Sequence, residues 1–160
     1  MPAPSTPTLA GMEIVFRKSD DGRVVGWSAV RRDRSKVVGS TMAAGKDLPH
    51  DLATFVLEDA MGLEDGFWGC VAAGGTFRSL GRKRTAPGAA LIRANRTGLD
   101  AAERRVNEAY ASWRAGAPGP LSDALDAMLD RWREVPRGGT LDVAWTAGRA
   151  PRPTAPKRRR

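Results

Sequence analysis

Glycine at positions 62, 66, 69, 74 and 75 cuts the middle of the chain into one helix of limited length and something shorter. Each interior glycine weakens a helix by about 1 kcal/mol relative to alanine, so no long regular element is expected from 66 to 77. Upstream, 48–62 reads as a helix. Pro49 suits a first turn, where its missing N–H has no partner in any case. Asp47 and Asp51 place negative charge at the positive end of the helix dipole, and Gly62 is a left-handed stop. At 100° per residue Leu48, Leu52, Phe55, Val56, Ala60 and Leu63 share one face, while His50, Asp51, Thr54 and Glu58 gather opposite. Asp59 falls in the middle of the apolar face and is expected to be a buried acid, paired with an arginine from 78–96. A short helix through Phe67–Ala73 and a glycine turn follow, with Phe67 and Trp68 capping the core. Gly74-Gly75 is not a phosphate loop, because no G-K-[ST] follows it.

On the N-terminal side, 1–11 reads as a flexible arm of Pro, Ser, Thr and Ala. Met12–Arg17 and Arg23–Val30 read as strands about an Asp21-Gly22 turn, a strong hairpin cue. Met12, Ile14 and Phe16 share one side of the first strand, and Val25, Trp27 and Ala29 one side of the second. Lys36–Ser40 completes a meander. On the C-terminal side, 78–96 carries six basic residues and no acid and reads as a surface loop with a turn of helix near 89–95. Leu99–Arg114 and Leu121–Glu134 have clear apolar stripes, and the short linker between them makes an antiparallel αα-hairpin. Asp123, Asp126, Asp130 and Glu134 form the solvated side of the second helix. Thr140–Trp145 alternates as a half-buried strand and is expected to return to the meander. The fold class is therefore α+β: a small antiparallel sheet of N-terminal meander plus C-terminal strand, covered by three or more helices. One domain, 12–146, is expected between the arm and a disordered basic tail, 147–160.

Several chemistries are excluded by inventory. One histidine and one cysteine cannot supply the four ligands of a structural zinc, and no acid run has EF-hand spacing. No metal or cofactor is expected. A Cys70–His50 dyad is disfavoured because Cys70 lies in an apolar run, and no G-x-S-x-G elbow accompanies the histidine. The single cysteine fits a reducing compartment, and no apolar run approaches the ~20 residues that span a membrane. Nor is the N-terminus a signal peptide, so a cytoplasmic location is expected.

The segment around the central helix resembles a group of small proteins from GC-rich bacteria that share L-P-H-D-L, a glutamate and G-F-W-G. The matching residues are Leu48, Pro49, His50, Asp51, Leu52, Glu58, Gly66, Phe67, Trp68 and Gly69. Thr54 departs from it, standing where that group has a second histidine. The resemblance covers about 30 residues and implies no activity.

Function is then weighed on charge and on His50. The net charge is +8, of which Arg149, Arg152, Lys157, Arg158, Arg159 and Arg160 supply six. Arginine makes up 21 of the 26 basic residues, a bias that GC-rich coding also produces, so the isoelectric point by itself says little. The leading expectation is a non-enzymatic interaction protein contacting an acidic partner or nucleic acid through that tail and the loop residues Arg82, Lys83 and Arg84. An alternative is a small, metal-assisted enzyme centred on His50, Asp51 and Glu58, with Trp68 lining its pocket. A third is a subunit whose tryptophan-bearing surface packs on another protein.

Overall fold

The computed structural model describes residues 11–77 and 85–146. β1 (Met12–Lys18) and β2 (Val24–Arg31) form the expected hairpin. Gly22 sits at φ 71°, where the absence of a Cβ matters, and the turn is closed by side chains: the Val24 N–H donates to Ser19 Oγ (3.0 Å) and the Arg23 N–H to Asp21 Oδ1 (2.9 Å). β3 (Lys36–Val38) pairs with β2. So does β4 (Met42–Ala43), two residues too few to carry any periodicity in the sequence. β5 (Thr140–Trp145) returns to pair antiparallel with β1, giving the order β3-β2-β1-β5.

The register stacks the inner face. Phe16 lies opposite Trp27 on one side and Leu141 on the other, and Ile14 opposite Ala29 and Val143. These residues enter one core that runs from Met12 to Trp145. The outer face keeps Val24, Val30 and Val38 exposed. The chain is α+β, as its patterning implies.

Among the described residues, five helices complete it. α1 (His50–Met61) ends at Gly62 in the left-handed region, φ 65°. α2 (Phe67–Ala72) is the short helix of the glycine-rich stretch. α3 (Ala86–Ala94) is longer than the single turn expected there. Pro87 occupies its first turn, and the Thr85 hydroxyl caps it by accepting the Gly88 N–H at 3.1 Å, so a Pro-Gly pair that suggests a loop instead starts a helix. α4 (Arg96–Arg114) and α5 (Pro120–Glu134) pack as the αα-hairpin. Asp126, placed by periodicity among solvated acids, accepts the Trp113 indole N–H at 2.8 Å and ties the two helices together.

Two cations of the sheet close helix ends. Lys18 Nζ donates to the carbonyls of Trp132 (2.7 Å) and Val135 (2.6 Å) at the end of α5, and lies 4.5 Å over the Trp132 ring. Arg31 donates from Nε to the Val71 carbonyl (2.6 Å) and from Nη2 to that of Gly75 (3.1 Å), beyond α2.

α1 departs from its expected two-faced character. It packs on α2, α4 and α5, and every residue from Leu52 to Glu58 is buried. Its supposed solvent side therefore faces α4, which corrects the wheel-based assignment. Asp59 is not the enclosed acid: it is only partly buried, and no ion pair among the described residues involves it. The enclosed carboxylate is that of Glu58, 1% exposed. No helix is long and apolar enough to cross a membrane among the described residues.

Candidate functional site

α1 supplies His50, Asp51, Thr54 and Glu58 to one side of a cavity of about 280 Å³, and α4 faces them with Arg96, Leu99, Glu103 and Asn107. Phe67 of α2 and Phe77 close it on a third side, their rings stacked 4.7 Å apart at 29°. The spacing on α1, positions 50, 54 and 58, is one row of a helix surface, so the polar stripe seen in the sequence becomes a wall.

Each of these groups has prior commitments. Asp51 Oδ2 accepts the Trp27 indole N–H at 2.9 Å, and the Asp51 carbonyl accepts that of Trp68 at 3.0 Å. His50 Nδ1 lies 3.5 Å from Asp51 Oδ1 on an imidazole whose side chain is 71% exposed. That hydrogen bond raises the imidazole pKa above its ordinary value, outweighing partial desolvation. Thr54 Oγ1 donates back to the His50 carbonyl at 2.9 Å.

Glu58 reaches across to α2. Its Oε1 accepts the Trp68 N–H at 3.0 Å, and the Phe67 N–H also favours the charged carboxylate. Burial outweighs both amides and pushes this carboxyl up to about 7. Gly66 makes that contact possible, and Gly69 lets α2 lie against the Glu64 carbonyl. A Cβ on Gly66 would lie 2.1 Å from Glu58 Oε2, and one on Gly69 would lie 1.8 Å from the Glu64 carbonyl oxygen. Trp68 is wholly enclosed among Phe16, Trp27, Phe55 and Phe67. It is a core residue that contacts no solvent, which corrects its assignment as a ligand or partner contact.

His50, Asp51 and Glu58 thus meet at one cavity but not at one reacting atom. His50 and Glu58 are eight residues apart on a single helix, about 12 Å along its axis, beyond the reach of a shared proton transfer. Asp51 orients the imidazole and holds the Trp27 indole. The arrangement suits binding better than general acid–base chemistry.

The remaining candidates divide by position. Arg82, Lys83, Arg84, Lys157, Arg158, Arg159 and Arg160 lie outside the described residues, as do the arm 1–10 and the tail 147–160. Cys70 is buried, its Sγ 3.5 Å from the Asp65 carbonyl, and burial lifts its thiol to about 11, an unreactive state. No three acidic, histidine or cysteine side chains converge as a metal site among the described residues. Trp27, Trp68, Trp132 and Trp145 are buried and Trp113 is half-buried; among the described residues the exposed large apolar side chains are valines. Sequence reasoning missed Arg96, Glu103 and Asn107, because nothing in a helical wheel tells which partner its polar stripe will meet. Comparisons with family models, curated proteins and solved structures find no match.

Proposed function

We propose that this chain is a non-enzymatic interaction protein that contacts nucleic acid through its basic segments, 78–84 and 147–160. Segregation of charge carries the reading. The described residues hold 16 basic and 18 acidic side chains, a slightly acidic body. Segment 78–84 adds four basic residues and 147–160 six, and neither contains an acid. The positive excess therefore belongs to these two segments, and such acid-free runs of cations neutralise phosphates and release counterions without reading sequence. Arg31 and Lys18, by contrast, are used inside the fold on helix carbonyls.

Fluorescence anisotropy with a random-sequence duplex tests this reading. Binding is expected to weaken steeply with salt, and deletion of 147–160, with its six cations, to lower the slope of log K against log [salt] by about five. Equal affinity for polyglutamate of matching charge would move the assignment to an acidic protein partner. Binding indifferent to salt and to the deletion would sink the proposal.

A further inference from the structure

Only three polar side chains are buried among the described residues, Thr54, Glu58 and Thr76, and two of them line the cavity between α1 and α4. Elsewhere α1 buries Leu52, Phe55, Val56 and Leu57 in the core. Protein interiors close voids larger than a water molecule, and a helix gains by filling an interface with apolar groups. Here both tendencies are set aside at one place. The cavity has an apolar wall of Phe67, Phe77 and Leu99, hydrogen-bonding groups on Thr54 and Glu58, and exposed His50 and Arg96, the latter paired with Asp100, beside the carboxylates of Asp51 and Glu103. A volume of about 280 Å³ is at the small end for organic ligands.

We infer that this cavity binds a planar nitrogen heteroaromatic compound bearing an anionic group. The ring would lie against Phe67, Phe77 and Leu99, as aromatic surfaces favour. Its N–H edge would face Thr54 Oγ1 and the Glu58 carboxyl, and its anion would sit at the mouth beside Arg96 and His50. Nucleoside monophosphates have this chemistry, and two sources can present it: the free nucleotide, or an unstacked base of a single strand. The inference stands apart from the basic segments, because every residue in it belongs to the described body.

His50 is the sole histidine, so its ring protons are a single, assignable NMR signal at the mouth of the cavity. The full-length chain is titrated with each of the four ribonucleoside monophosphates and, separately, with a short single strand. A saturable shift of the His50 signal is expected with at least one. A response to the mononucleotide alone assigns the free nucleotide, and a stronger response to the strand assigns the unstacked base. Arg96→Glu alters an exposed side chain, leaves the fold intact and is expected to weaken that binding about tenfold. Leu99→Trp fills the cavity and is expected to abolish it; Thr54→Val, nearly the same shape, covers the case in which the tryptophan unfolds the chain, and is expected to weaken binding severalfold. No saturable His50 shift with any probe, or a shift unchanged in both Arg96→Glu and Thr54→Val, overturns the inference. Salt-dependent duplex binding that disappears with 147–160 while the His50 response persists shows the two sites to be separate.

Discussion

At the scale of single residues, Glu58 is the most consequential group. An ionisable side chain 1% exposed is costly unless amides meet it, and α2 supplies them from Phe67 and Trp68. Its folded pKa, about 7, lies above the ordinary glutamate value of 4.5, so the folded chain keeps the proton to higher pH than the unfolded chain does. Stability from this group is full below about pH 4.5, is lost as pH rises through about 7, and is flat above; the bound is about 3 kcal/mol. His50, also raised, works in the same direction. Glu58→Gln should therefore flatten the dependence of urea-unfolding free energy between pH 5 and 8, and an unaltered slope would reassign it to another group. The glycines make a second, sharper prediction. In Gly66→Ala the methyl group displaces the Glu58 carboxylate from its amides, at a cost of about 2–4 kcal/mol that shrinks by more than about 1 kcal/mol in a Glu58→Ala background. Gly69→Ala meets a backbone carbonyl, which cannot swing aside, so denaturation midpoints should rank it below Gly66→Ala.

At the scale of elements, what could be read from the sequence follows the range of the cause. Alternation and 3.6-residue periodicity are local, so β1, β2, β5, α4 and α5 are legible with ends right to within a few residues. The return of β5 to the meander was legible too, since an apolar alternating strand needs an edge to join, but not that β1 would be its partner. β4 was not, having too few residues to form a pattern, and α3 was hidden because Pro-Gly serves loops and helix starts alike. α1 misled for a different reason. A wheel sorts residues by type, but a helix packed on three others keeps solvent contact only near its ends, so Glu58 was read as outward and Asp59 as inward. The cavity was illegible for the same cause, since half its wall comes from α4. Helix ends yield the prediction at this scale. Lys18→Met keeps the aliphatic stem but leaves the Trp132 and Val135 carbonyls without their donor, at a cost of about 1–3 kcal/mol. Faster amide exchange confined to the last turns of α5, alongside a lower urea midpoint, checks it; loosening spread evenly over the chain would contradict the capping role.

At the scale of the whole molecule, the described body carries a slight excess of acid, and the positive excess lies in 78–84 and 147–160. The main core gathers residues from Met12 to Trp145, drawing on the sheet and on α1, α2, α4 and α5, while Ile92 of α3 packs with Cys70 and Leu99 in a smaller cluster. β5 itself is fixed from both sides, by β1 in the sheet and by Trp145 against Phe55 of α1. Residues 147–160 follow β5 and contribute six cations and no acid to the sequence. Cutting after Thr146 should accordingly leave the thermal midpoint within a few degrees of the full chain, because the truncated chain keeps the whole core from Met12 to Trp145. Removing Thr140–Trp145 as well exposes the inner face of β1 and should abolish cooperative unfolding altogether. Calorimetry on the two truncations separates the cases. A midpoint that falls steeply on the first cut would mean that the tail's charge is spent on the fold, and the division of labour on which the nucleic-acid reading depends would fail with it.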